Sequence, residues 1–315
     1  MERLVILGSG PAGCAAAIYA ARAGLKPLIL AGMQPGGLLT QTNHVENYPG
    51  FPDGTTGFDL TDAMARQAQR FGTTLKFQAA TKLAFSPHNN RILLDDGTEL
   101  VAESVVLALG SRHRLGLPDE KQFLGKGLSY CATCDGAFFR NQSVAVIGGG
   151  DMALEEALAL TAFASEVHVI HRREAFSATK ILADRVLAEP KIRIHWNCLP
   201  LGLEATETGR VAGVRIQSTT SSEETLVSCT GVFVAVGVLP NTELLEGTGI
   251  LLDEQGYIKL RDAARSLTNL QGVFAAGDCA DPTYRQAIVA AGMGAKAGMD
   301  AVHFLSETDN QPGQK

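Results

Sequence analysis

The chain has 315 residues, enough for two domains of ordinary size rather than one. With 45% hydrophobic and 19% charged residues it reads as globular, which excludes disorder for the bulk of it. Its 27 basic and 33 acidic residues leave a net charge of −6 with no basic block, so nucleic acid is excluded as a partner.

In chain order, the apolar run Leu4 to Leu7 predicts a buried strand, followed by the turn Gly8-Ser9-Gly10-Pro11-Ala12-Gly13, a helix over 11–23 and a second strand over 27–30. The glycines interrupt the charge-free stretch Leu4 to Ala21. It is therefore read as neither a membrane span nor a signal sequence, and a cytoplasmic protein without a membrane partner is expected. Pro87 to Asn90 reads as a hairpin turn, and Val105 to Leu109 as an apolar strand ending in Gly110. The second unit repeats the first: strand 143–147, the turn Gly148-Gly149-Gly150-Asp151-Met152-Ala153, a helix over 151–163 and a strand over 166–170. Thr219 to Ser222 reads as another turn. Val232 to Val236 ends in Gly237, and 272–276 runs into Gly277-Asp278. The polar segment 309–315 is expected to be a frayed tail.

Two strand–turn–helix units with this glycine spacing are the pattern of dinucleotide loops. The first Gly makes the turn, the second admits a pyrophosphate, and the third small residue lets helix and strand pack closely. Where the second strand of such a unit ends, a carboxylate would grip a ribose. The second unit has His171-Arg172-Arg173 there, which suits a 2′-phosphate and hence NADP. The first unit has Ala31-Gly32 at that place, so its nucleotide needs other holders. Asp278, at a strand end, is a candidate for flavin hydroxyls or phosphate. The two Gly-ended strands at 110 and 237 mark the crossings. The expected fold is α/β, two Rossmann-like three-layer nucleotide-binding domains with the second inserted into the first. The first comprises residues 1–113 and 243–315, the second 114–242.

Of six cysteines only Cys131 and Cys134 are close, as Cys131-Ala132-Thr133-Cys134. A structural zinc site would want a second pair or nearby histidines, so a redox pair is the favoured reading. At a helix start one thiol would have a depressed pKa and supply thiolate, and Asp135 is placed to exchange its proton. As an ordinary residue, Asp135 would be a helix N-terminal acid.

These motifs, with Glu46-Asn47-Tyr48-Pro49-Gly50, Pro240-Asn241-Thr242 and Tyr284-Arg285-Gln286-Ala287, closely resemble the low-molecular-weight thioredoxin reductases from about residue 3 to 306. The resemblance implies FAD in the first domain, NADPH in the second, a homodimer, and thioredoxin as the protein substrate. It assigns Gly8, Ser9, Gly10, Pro11, Ala12, Gly13, Gly37, Leu39, Thr40, Asn47, Asp278, Arg285, Gln286 and Ala287 to FAD. To NADPH it assigns Gly148, Gly150, Asp151, Met152, Ala153, His171, Arg172 and Arg173. Cys131 would attack thioredoxin, Cys134 would lie next to the flavin, and Asp135 would protonate the leaving thiolate. One inserted domain would present both the cysteines and the nicotinamide to one flavin, which implies a domain rotation with hinges at 111–115 and 238–242.

Four positions depart from the family pattern. Ser177 replaces a third Arg of the basic motif. Met152 replaces a small hydroxyl residue and is expected to crowd a pyrophosphate. Leu38 replaces a Gln on the flavin side, and Ala137 replaces an aromatic after the cysteines. The first two fall on the nicotinamide side. They keep open a disulfide reductase whose flavin is reduced by another donor such as ferredoxin. A flavin-binding regulatory protein is the reading from another class.

Overall fold

The computed structural model describes residues 1–42, 45–113, 117, 120–262 and 264–309. The chain divides into two compact units, Met1–Arg112 with Leu239–Lys315, and His113–Val238. The return crossing comes before the expected 242/243 boundary. Val238–Pro240 is a strand paired with Ser111–His113, and Asn241 already bonds Gly110 and Leu109 of the first unit. Of the expected hinges, 114–115 lies outside the described residues, as does the tail beyond Asp309.

The first unit is built on a seven-stranded sheet. Its parallel part runs Thr74–Lys76, Leu28–Leu30, Glu2–Leu7, Glu99–Leu107, and Val273–Ala275 also pairs in parallel with Glu99–Leu107. Asn90–Leu94 and Ala80–Ala84 extend it antiparallel. Strands buried on both faces explain why Leu4, Val5 and Ile6 form an unbroken apolar run rather than an alternating one. On one face lie the helices Pro11–Arg22 and Ala287–Asp309. They approach closely because Gly294 and Gly298 have no side chains: a methyl on either would overlap the carbonyl oxygen of Ala12 or Ala16. Alanines 12, 16, 17 and 20 complete that contact. Thr56 caps the helix Gly57–Arg70 by accepting the Asp59 amide at 3.0 Å.

The second unit has three layers. A five-stranded parallel sheet runs Ile192–His195, Glu166–Ile170, Ser143–Ile147, Gly231–Val234, Leu128–Ser129. The helix Asp151–Leu160 covers one face through Ala153, Ala157 and Leu160. This helix stops short of the expected residue 163, and the Thr161 hydroxyl turns back onto the Leu158 carbonyl at 2.7 Å. A three-stranded antiparallel sheet, Cys198–Ala205, Val211–Ser218 and Glu224–Ser228, covers the other face through Val211, Val214, Ile216 and Val227. Two three-layer α/β units of the expected kind are thus present.

Candidate active site

The first glycine loop is held open at its centre. Gly8, at φ +108°, and Gly13 leave no room for side chains, since a methyl on Gly8 would strike the Ala108 carbonyl and one on Gly13 would strike Gly8. Among the described residues a methyl on Gly10 would meet only the Gly36 carbonyl oxygen, at 3.6 Å. Pro11 opens the helix without spending an amide, so the remaining first-turn donors face the loop. Buried Ser9 locks a second glycine turn against the first, accepting the Gly36 amide on its Oγ at 2.9 Å. Gly37 and Gly10 then lie backbone to backbone, and Thr40 donates to the Gly37 carbonyl at 2.8 Å. Leu39 packs instead into an apolar cluster with Cys14, Val45 and Leu60. This narrow cradle of main chain fits a pyrophosphate.

Beside it, Asn47 Nδ2 donates to Gln286 Oε1 at 3.2 Å, joining two expected flavin residues from opposite ends of the unit. Asp278 lies in the turn just past the strand Val273–Ala275, with Oδ2 accepting the Ser111 hydroxyl at 3.0 Å. Burial pushes its carboxyl above the ordinary range, the Ser111 hydroxyl pulls it back, and Asp281 raises it again. A desolvated carboxylate just past a strand suits a ligand that brings hydroxyl donors. Arg285 adopts φ +50°, a left-handed conformation imposed by the buried Asp281 carboxylate, which accepts the amides of Thr283, Tyr284 and Arg285 at 2.9, 3.0 and 2.9 Å. Ala287 begins the last helix directly after this loop. Neither Ser111 nor Asp281 was among the expected residues. Asp281-Pro282 opening a turn is a readable signal for the second, whereas Ser111 has none.

In the second unit the glycine loop is partly covered. The His171 ring lies where a Gly149 side chain would be, and its Nε2 faces the Ala175 carbonyl at 2.9 Å. Ser177 binds the Gly149 carbonyl through both its amide, at 2.9 Å, and its hydroxyl, at 3.1 Å. The residue that replaces a family arginine therefore closes the loop 171–177 onto the glycine turn. Gly150 remains open, with Ser177 Oγ, at 3.8 Å, the only atom near a hypothetical methyl among the described residues. Asp151 Oδ1 accepts the Thr179 amide at 2.7 Å, which ties the next helix to this one. Met152, expected to crowd a pyrophosphate, is partly buried. Its side chain packs into the core with Phe176 and Ile192. Ala153 is buried beneath Gly148, whose φ of +152° only glycine tolerates well.

Arg172 and Arg173 are exposed and make no ion pair among the described residues. Burial lowers the His171 pKa, the Ala175 carbonyl raises it, and the two guanidiniums lower it further. Two unneutralised cations beside a glycine turn fit an added phosphate. The rings of Trp196 and Phe176 meet at a tilt, 4.4 Å apart, and both contact the His171 ring, so the basic segment is braced by aromatic contacts.

The cysteine motif lies in the same unit. Cys131 is disulfide-bonded, while Cys14, Cys198, Cys229 and Cys279 are free. The side chain of Cys134 lies outside the described residues. Burial pushes Cys14, Cys229 and Cys279 up to about 12, 12 and 11, so none of these thiols is a nucleophile at neutral pH. Cys131 precedes the short helix Ala132–Asp135. Buried Ser129 joins its ends: its hydroxyl accepts the Cys131 amide at 3.1 Å and donates to Asp135 Oδ2 at 2.6 Å. Asp135 is thereby fixed toward the cysteine turn by a residue that sequence reasoning missed. A Ser two residues before a cysteine carries no recognisable signal of its own. Ala137 is followed by Phe138, an exposed aromatic.

The chain matches the pyridine nucleotide-disulphide oxidoreductase family over residues 2–294. It belongs to that family. It is 47% identical over 307 residues to a thioredoxin reductase of Mycolicibacterium smegmatis, covering 97% of each chain. A bifunctional thioredoxin reductase/thioredoxin of Mycobacterium leprae is 45% identical over 308 residues, 98% of this chain and 66% of that protein. Among solved structures, the thioredoxin reductase of Streptococcus pyogenes superposes with a TM-score of 0.84 at 37% identity, covering 96% of this chain and 98% of that one. The resemblance read from the motifs holds across nearly the whole length, and the chain is an oxidoreductase. That sets aside the purely regulatory reading. Among the described residues no helix is long and apolar enough to cross a membrane.

Proposed function

We propose that this oxidoreductase is a thioredoxin reductase. It would carry two electrons from NADPH, through FAD held in the first unit, to the Cys131/Cys134 pair and on to the disulfide of a thioredoxin-like protein. The observation that carries the reading is the disulfide-bonded Cys131, with Asp135 secured through Ser129, in the unit that also bears the second glycine loop. FAD supplies the relay between a two-electron hydride donor and a disulfide.

The chain's own residues bind and orient. Gly8, Ser9, Gly10, Pro11, Ala12 and Gly13 with Gly37 and Thr40 would cradle the FAD pyrophosphate. Asp278, Asn47, Arg285, Gln286 and Ala287 would hold its hydroxyls and ring edge, and Leu39 would support the cradle from below. Gly148, Gly150, Asp151, Met152 and Ala153 shape the nicotinamide-nucleotide turn. Arg172 and Arg173 would take the 2′-phosphate, with His171 as their platform. Cys131 would attack the partner disulfide, and Cys134 would receive electrons from the flavin. Asp135 would deliver the proton that the departing thiolate needs.

A homodimer in the cytoplasm completes the proposal. The partner is a small protein disulfide, consistent with a relative whose name joins reductase and thioredoxin in one chain. One observation favours a second reading: Ser177 and His171 close over the glycine turn where a third arginine would otherwise stand. In that reading a low-potential donor such as ferredoxin reduces the flavin. Steady-state turnover with thioredoxin tests the core of both. Cys131→Ser and Cys134→Ser should each lower turnover by about a thousandfold or more while FAD content stays normal. Retained turnover in both variants would show that the pair is not the redox centre.

A further inference from the structure

A carboxylate lies directly behind the cysteine turn. Glu156, on the helix Asp151–Leu160, accepts the amide of Ala132 on Oε1 at 3.4 Å, and Ala132 is the residue after Cys131. Its Oε2 is buried, and among the described residues no donor reaches it. Its neighbours Ala153, Ala157 and Leu160 on the helix, and Ala132 whose amide it accepts, belong to one buried apolar cluster. Its neighbour Glu155, by contrast, is exposed. A half-satisfied carboxylate in an apolar wall costs stability, so its place needs a reason.

We propose that Glu156 is a positioning residue of the dithiol–disulfide step. It holds the Ala132 amide, puts a negative charge behind the turn, and so makes reduced Cys131 keep its proton and the pair a stronger reductant. The physical chain is short. An anion near a thiol disfavours its thiolate. Destabilising the thiolate lowers the population of the reduced pair relative to the disulfide, and the potential falls with it. Opening the disulfide consumes two electrons, from reduced nicotinamide in the reading above, and two protons from solvent, and yields two thiols. Glu156 changes how firmly Cys131 holds one of those protons and leaves the electron count untouched. The proposal rests on the reading of Cys131 as a redox thiol.

The charge is also adjustable. Burial pushes the Glu156 carboxyl up to about 7, while the Ala132 amide pulls it down. The titratable groups on the elements around it are Asp135 on the cysteine helix and Asp151 and Glu155 on its own helix. Apart from the cysteine pair, which does not titrate as a disulfide, the others are Lys180, Asp184 and Arg185 on the next helix and Glu166 and His168 on the adjacent strand, and none of them is a cause of its shift. In the disulfide form its titration thus follows its own burial. Near neutrality the pair would become less reducing as Glu156 takes up a proton.

The test needs neither NADPH nor thioredoxin. Full-length protein, reduced chemically, is alkylated with iodoacetamide from about pH 5 to about pH 9, and labelling of Cys131 is followed by peptide mass. Glu156→Gln keeps an acceptor for Ala132 and removes only the charge. Its Cys131 should react about threefold or more faster near pH 7.5. Its dithiol–disulfide equilibrium against glutathione should shift by a similar factor toward the dithiol. Glu156→Asp, which keeps the charge, should stay closer to the wild type than Glu156→Gln in both measurements. The unmodified protein gives an independent check, because its labelling curve should show an extra inflection near pH 7. A folded Glu156→Gln with unchanged rate and equilibrium, or a wild-type curve following one ionisation, would overturn the proposal. Failure of NADPH-driven turnover would bear on the proposed function alone, since the alkylation proceeds without it.

Discussion

The two glycine turns are nearly the same in local sequence and different in what surrounds them. In the first, Ser9 brings a second glycine turn alongside, and the cleft between Gly10 and Gly37 is walled by main chain. In the second, the His171 ring lies over Gly149 and Ser177 binds its carbonyl twice. The first is a rigid cradle with no basic residue at its strand end, where Ala31-Gly32 stands. The second is a covered turn flanked by Arg172 and Arg173, both exposed and without an ion pair among the described residues. The comparison teaches that a strand–turn–helix motif sets where a nucleotide can bind, whereas non-local side chains decide how tightly and which one.

Alanine substitutions should break the comparison most sharply. Gly13→Ala puts a methyl into the Gly8 carbonyl, and both atoms belong to backbone that cannot retreat. It should cost about 3 kcal/mol or more and give protein without flavin, measured by urea denaturation and by absorbance. Gly149→Ala meets an imidazole that can swing away. It should cost only about 1–2 kcal/mol, keep the flavin, and disturb the arginine segment. Equal losses in both variants would remove the distinction between main-chain and side-chain walls.

The basic segment sharpens the comparison from the other side. Arg173→Ala should lower the preference for NADPH over NADH by about tenfold or more, since a charge-assisted contact contributes about 1.5–3 kcal/mol. Ser177→Arg should raise it by up to about tenfold, because the Ser177 amide still holds Gly149 when the hydroxyl is gone. The ratio of kcat/KM for the two nucleotides reads both. No change in either variant would place the phosphate elsewhere.

Much of the fold was legible because its signals are local. The unbroken apolar runs at Leu4 to Leu7 and 143–147 announced strands buried on both faces. Gly8 and Gly148 announced turns that only glycine makes. The cysteine spacing was legible for the same reason. What escaped was set by contacts between distant segments. Ser129 bridges the Cys131 amide and Asp135 only because Leu128–Ser129 is a sheet edge strand beside Gly231–Val234. Asp278 depends on Ser111, far away in the chain. Residue type alone does not say that the flexible side chain of Met152 packs against the buried cluster of its helix and sheet. The return crossing was misplaced because Val238–Pro240 looks like a linker until its strand partner is known.

A smaller effect separates the units by pH. On the second unit's sheet, His168 Nδ1 and His195 Nε2 face each other at 3.1 Å, next to Glu166 and Arg193, which are themselves paired. Burial lowers the pKa of both histidines. Glu166 opposes the shift at both, while Arg193 adds to it at both and His168 adds to it at His195. The unfolded chain therefore takes up protons first. Their contribution to stability is complete above ~6.5, the ordinary imidazole value, and is lost as pH falls through the lower folded values. Thermal melts from about pH 8 to about pH 5 should show the inserted unit weakening on acidification, with the effect reduced in His168→Gln. A flat profile would mean that the pair is already exposed to solvent.

The central claim is that the covered second turn still admits NADPH. Anaerobic titration of the flavin-loaded protein with NADPH, followed at the flavin absorption band, tests it most directly. Bleaching that nears completion at about two equivalents of NADPH, because flavin and disulfide each take two electrons, with affinity on the order of micromolar and a clear preference over NADH, is the expected result. A flavin that stays oxidised with NADPH, yet is reduced by a low-potential one-electron donor that then drives thioredoxin reduction, would contradict it.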